Sequence, residues 1–191
     1  MTHLRSFFVM VTVAVGTVIL GAAAFIFTAS YNVAATDPHS RPMQWMLHTT
    51  MHRSVAARAN SIHAPAQFTQ EQVRDGALEY GEMCAPCHGA PGKERGEIGQ
   101  GLNPSPPDLV EVGAEWPNAE IFWIVKNGIK MTGMPAFGPT HPDDILWSIV
   151  AFVRQLPQVT PEDYKKLVGS TLSQEHPASE HDHTHEHDHK H

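Results

Sequence analysis

Cysteine is scarce in this 191-residue chain: there are two, three positions apart. Such a pair excludes a disulfide framework, and without a third cysteine no Cys-rich zinc cage can be assembled. Basic charge is also in short supply. The formal net charge is −7, and residues 66–168 carry eight Lys/Arg against fourteen Asp/Glu. That balance lacks the clustered cations of a nucleic-acid footprint, so no nucleic-acid partner is expected. No stretch alternates apolar and polar residues as a half-buried strand would, so the chain reads as all-α. Long apolar runs are limited to one.

That run, residues 7–29, holds 23 uncharged residues and would be roughly 35 Å long as a helix, enough to cross the hydrocarbon core of a bilayer. The apolar region of a cleavable signal peptide is about 7–15 residues, so residues 1–30 read as a retained single-pass anchor. Arg5 precedes the run, which puts the N-terminus in the cytoplasm and everything after Ser30 outside. Residues 31–67 read as a juxtamembrane connector. Within it Met43, Leu47, Met51, Val55 and Ala59 recur every four residues on one helical stripe, and His48 and His52 stand four apart on a neighbouring face. This spacing could bind a metal, although solvated histidines on a juxtamembrane helix are the plainer reading.

Residues 68–168 read as the folded domain. Thr69 and Gln72 form a capping box for a helix over residues 70–83. A second helix fits Asn118 to Asn127, with Gly128 as its C-terminal cap. A third begins with Pro142 at its first position and Asp143 and Asp144 in its first turn, and it ends before Pro157. A short helix over 161–168 follows. Residues 169–191 end in a run with His at every second position, including His181, His183, His185, His187, His189 and His191. With no apolar side chains to bury there, a disordered tail is expected. Its imidazoles and carboxylates offer ligands for nickel, zinc or copper.

Chemistry concentrates at Cys84-Ala85-Pro86-Cys87-His88. Two thiols two residues apart, with an imidazole adjoining the second, is the spacing that attaches c-type haem. Each thiol adds to one vinyl group of the porphyrin, and the turn leaves His88 beneath the iron as proximal ligand. A thioredoxin-like redox pair would sit at a strand-to-helix junction, and no strand is legible here. A second axial ligand must come from elsewhere. Met131 and Met134 lie together in a Gly/Pro-rich loop between the second and third helices, where packing explains thioethers poorly. Gly133 and Pro135 flank Met134, which frees its side chain to reach inward, and Met131 is the competitor.

In combination these features resemble the monohaem class I c-type cytochromes over residues 69–168. The resemblance is carried by Gly76 to Tyr80 before the Cys84–His88 motif, by the loop Gly133-Met134-Pro135-Ala136-Phe137, and by a closing amphipathic helix containing Trp147. It implies a small cytochrome c fold, three main helices around one covalently bound haem c, and it implies Met134 as the distal ligand. It further implies a close crossing of the first and last helices at Gly76, locked by Tyr80 against Trp147. A proline carbonyl should orient the proximal imidazole, and Pro104, Pro106 and Pro107 are all candidates. His88 and a methionine together close the iron to substrates, so the expected role is one-electron transfer rather than catalysis. The whole then reads as an inner-membrane protein of bacterial type with its haem domain in the periplasm. It would be a carrier, or the cytochrome subunit of a respiratory or dehydrogenase complex, meeting redox partner proteins at the membrane. Divalent-metal handling by the tail is the alternative role.

Overall fold

The computed structural model describes residues 2–113 and 115–175. The chain divides into two units between Pro38 and His39. The first holds a single helix, α1 (Thr2–Phe27). Its residues His3–Phe27 are long and apolar enough to cross a membrane, and none of the stretch is buried against protein. The hydroxyls of Thr12 and Thr17 donate to the carbonyls of Phe8 and Val13, each at 2.9 Å. These polar groups are thus satisfied inside the helix, as an apolar surrounding demands.

The second unit is helical, with no strand among the described residues. It contains α2 (Arg41–Ala59), α3 (Gln70–Glu79), α4 (Ala85–His88), α5 (Glu97–Gln100), α6 (Leu109–Val112), α7 (Asn118–Asn127), α8 (Asp143–Gln155) and α9 (Pro161–Glu175). The Thr69–Gln72 capping box is formed in both directions: the Gln72 amide donates to the Thr69 hydroxyl at 3.2 Å, and the Thr69 amide to the Gln72 side chain at 3.0 Å. Helix α3 stops earlier than the expected 83. Residues Tyr80–Cys84 widen into a π-turn before α4 resumes the α-helical pitch. Such a widening shifts the phase of everything after it, and here it accompanies burial of both Cys84 and Ala85. Helix α9 continues to Glu175, past the expected end at 168, and its Tyr164 is buried in the core.

Helices α3 and α8 cross with backbone in contact. A Cβ built on Gly76 would lie 1.9 Å from the Ser148 carbonyl oxygen, so only glycine allows this approach. Around the crossing, α8 buries Leu146, Ile149, Val150, Ala151, Phe152 and Val153. The expected pairing of Tyr80 with Trp147 is corrected. Tyr80 meets Phe152 edge-on, with ring centroids 5.2 Å apart, whereas Trp147 stacks on Phe122 of α7 at 4.1 Å. The helical repeat explains the change: Phe152 lies four residues beyond Ser148, one turn past the crossing, just as Tyr80 lies four beyond Gly76. The Tyr80 hydroxyl, fully buried, donates to the Gly89 carbonyl at 2.7 Å.

Helix α2 belongs to this unit and packs on α7. The C-terminal part of its stripe is the docked part, with Val55 and Ala59 buried while Leu47 stays exposed.

Replacing Gly76 with Ala should lower the stability of the haem-loaded protein by about 2 kcal/mol or more, because neither partner at the contact is a movable side chain. Gly101→Ala, whose nearest neighbour would lie at 3.6 Å, should melt close to the parent. Thermal unfolding followed by circular dichroism compares the two, and equal melting temperatures for the Gly76 variant and the parent would refute the crossing argument. Tyr80→Phe should cost about 1–3 kcal/mol, since it strands the buried Gly89 carbonyl without a donor; the same melts read it.

Candidate haem attachment site

Cys84, Cys87 and His88 share one continuous turn that includes α4. Cys84 is buried, Cys87 half-buried, and both are free thiols. Burial pushes the Cys84 thiol up to about 12, with the neighbouring Cys87 and Glu79 adding to the effect. The thiol is therefore protonated near neutrality, and it is inert unless a reaction partner is brought to it.

The turn is fixed from below by backbone. The Gly96 amide donates to the Pro86 carbonyl at 2.9 Å, and α5 approaches so closely that a Cβ on Gly99 would lie 2.7 Å from the Cys87 carbonyl oxygen. Gly89 follows His88 at φ +78°, in the left-handed region where glycine ends the helical turn without strain. Arg95 and Gln100 brace the following segment, Arg95 by donating to the Ser105 hydroxyl at 2.7 Å and Gln100 by donating to the Arg95 carbonyl at 2.9 Å.

Among the three candidate prolines the structure selects Pro107, whose carbonyl lies 2.9 Å from His88 Nδ1. A carbonyl can only accept, so Nδ1 carries the proton and Nε2 presents its lone pair. Burial holds His88 below the ordinary histidine range, opposed by its bond to Pro107. A neutral imidazole with one fixed tautomer is the form that ligates iron.

Met134 lies in the loop that leaves α7, and that loop is folded back onto the end of the helix. The Phe137 and Gly138 amides donate to the carbonyls of Val125 and Lys126, at 3.1 and 2.9 Å, and the Ile129 amide donates to the Met134 carbonyl at 3.2 Å. Gly128, at φ +66°, sits where a Cβ would lie 2.7 Å from that same carbonyl. The Thr132 hydroxyl accepts from the Met134 amide at 3.1 Å while donating to the Ile129 carbonyl at 2.7 Å. Met134 is half-buried, whereas Met131 is 92% exposed. Next to Met134, Gly133 lies against Leu102, so this loop touches the segment that leads to Pro107.

The residues fit a covalent haem. The two thiols are free, the imidazole offers Nε2, and Leu102, Ile124, Phe137 and Trp147 are only half-covered by protein, as the wall of an apolar group would be. The Tyr80–Gly89 bond and the Gly99 contact are supports that the sequence reading did not find. Both join segments with no shared local pattern. The expected tail ligands His181, His183, His185, His187, His189 and His191 lie outside the described residues.

Residues 71–153 match the family model described as Cytochrome C oxidase, cbb3-type, subunit III. No curated protein matches the chain. The matched segment begins inside α3, contains the Cys84–His88 turn and the Met134 loop, and ends within α8, so it spans the crossing and the attachment site together. The match covers less than half of the chain, and over those residues it supports a c-type cytochrome domain of the kind that carries haem-based electron transfer.

Proposed function

We propose that the protein is a membrane-anchored, extracytoplasmic electron-transfer protein. It would hold one haem c through Cys84 and Cys87, with His88 and Met134 as axial ligands, and act as a carrier or as the cytochrome subunit of a respiratory or dehydrogenase complex. The observation that carries this reading is the 2.9 Å bond between His88 and Pro107, which commits the imidazole to one ligating nitrogen. The exposure of Met131 favours Met134 as the second ligand.

The bound haem supplies a single, reversibly held electron. Cys84 and Cys87 would anchor the ring, Pro107 keeps His88 from rotating, and burial keeps it from protonating. Thr132 and Gly128 hold the methionine loop in one conformation, so a ligand on it stays in place through both oxidation states. With His88 and Met134 both given to the iron, a bound haem would offer no open position to a substrate, which would separate transfer from catalysis. The thioether, a soft ligand, favours the reduced state. Helix α1 supports the anchor, and Arg5 before it supports an outward-facing haem domain. Anchoring raises the local concentration of the domain near membrane oxidoreductases. Its acidic surplus suits a partner with a basic docking face.

The ferric protein should show the weak red absorption band of methionine sulfur bound to haem iron. Met134→Leu should abolish the band and let the reduced form bind carbon monoxide, while Met131→Leu keeps the band. Loss of the band in the Met131 variant alone would transfer the ligand to that residue and overturn the assignment. Electron transfer to a small basic redox protein should slow by roughly tenfold between about 0.01 M and 0.15 M salt, as the screening length falls from about 30 Å to about 8 Å. A rate indifferent to salt would remove the electrostatic part of the proposal.

A further inference from the structure

Helix α2 carries a feature that haem chemistry does not use. His48 and His52 lie one turn apart, and their Nε2 atoms are 3.1 Å from each other. The rings sit at 4.3 Å between centroids with a 52° tilt, so the nitrogens converge while the planes do not stack. His52 is half-buried and has its other neighbour in Trp116, at 4.3 Å and 32°. That packing immobilises one imidazole before any ligand arrives. Beside it lies a recess of about 190 Å³ lined by His52, Glu115, Trp116, Pro117 and Glu120.

We propose that His48 and His52 form a binding site for a borderline divalent cation of the zinc, copper or nickel type, with the recess holding its remaining ligands. Two nitrogens bound at about 2.0–2.1 Å and 3.1 Å apart subtend roughly 100° at the metal, between square and tetrahedral geometry. Imidazole is the nitrogen ligand these ions share. Among the described residues no third His, Cys, Asp or Glu completes a protein-only cage. The site is therefore open, and its other positions go to water or to an incoming ligand. The recess has room for several waters, each needing about 30 Å³. Glu115 and Glu120 on its wall favour a cation there, and Glu120 is near enough for its charge to act on His52. An ion in this place would tie α2 to the residues that open α7, because His52 already rests on Trp116.

The seven histidines at positions 176–191 would mask such a site in a binding titration. The test therefore uses the full-length, haem-loaded chain with those seven changed to Asn, titrated with Cu2+ in the ferric state, so that no haem electron reduces the ion. One Cu2+ per chain is expected, with nitrogen hyperfine splitting from two imidazoles in its electron paramagnetic resonance spectrum. His48→Gln should weaken binding roughly tenfold or more and leave one nitrogen, as should His52→Gln. His48 is exposed, so its variant tests ligation without disturbing the Trp116 contact. His63→Gln, an exposed histidine outside the pair, should change nothing. Absence of saturable binding, or binding unchanged in both variants of the pair, would overturn the proposal. The unchanged haem spectrum certifies in each case that the domain is folded.

Discussion

The contact of Gly76 with the Ser148 carbonyl determines how much else in the domain is arranged. Where two helices meet with backbone rather than side chains between them, the separation is set by hard atoms, and neither helix can slide without collision. One turn beyond the contact, that fixed separation puts Tyr80 edge-on to Phe152, and the Tyr80 hydroxyl then reaches the Gly89 carbonyl at 2.7 Å. Gly89 directly follows His88. The chain of constraint from the crossing to the imidazole is therefore three links long, and each link is a short, buried or backbone contact. Phe152 passes the constraint on to Tyr164 of α9, stacked at 6.0 Å, which makes the last helix a structural part of the same core.

The remaining site residues come from segments with little regular structure, and these are held in another way. The stretch from Gly89 to Pro117 and the loop from Gly128 to Thr140 have only partial packing against the core, through Ala90, Leu109, Val110, Trp116 and Phe137. Directional bonds supplement it: Arg95 to Ser105, Gln100 to Arg95, Pro107 to His88, Thr132 to Met134, and the return of the Phe137 and Gly138 amides to α7. Arg154 adds a further tie from α8, donating to the carbonyls of Gly113 and Trp116 at 3.2 and 3.3 Å. Each such bond contributes only about 1 kcal/mol. Their value lies in selecting one loop conformation from many, and the placement of His88 and Met134 depends on that selection.

What could be read from the sequence follows from the range of the forces involved. The Thr69 cap, the bounds Asn118–Asn127, the Gly128 stop and the Cys84–His88 spacing are local codes, written within four or five residues, and all were legible. The close approach at Gly76 was legible only through family resemblance. Its aromatic partner was misread because choosing Phe152 over Trp147 requires the rotation of α8 about its axis, which is fixed by packing. The choice of Pro107 from three prolines depends on the path of a loop over nineteen residues of separation. The π-turn at Tyr80–Cys84 has no pattern of its own, since the same residues would fit an ordinary helix. The docking of α2 was half visible: its stripe announced a packing face, but nothing local says that the face meets α7.

Two histidines in this unit are held below their ordinary pKa range, and the comparison between them separates a locked group from an adaptable one. For both, burial is the leading cause. His88 faces the Pro107 carbonyl, a partner that can only accept, so one tautomer is imposed and Nε2 is left as a permanent lone pair. His52 faces another imidazole, which can donate or accept, so its tautomer follows whatever its neighbour does. A redox cofactor that must keep its ligand through every turnover needs the first arrangement. A site that exchanges its occupant with solvent is served by the second. The same side chain thus acquires opposite chemical habits from the one atom placed opposite its ring, and in each case that atom is fixed by the helix and loop geometry rather than by the histidine itself.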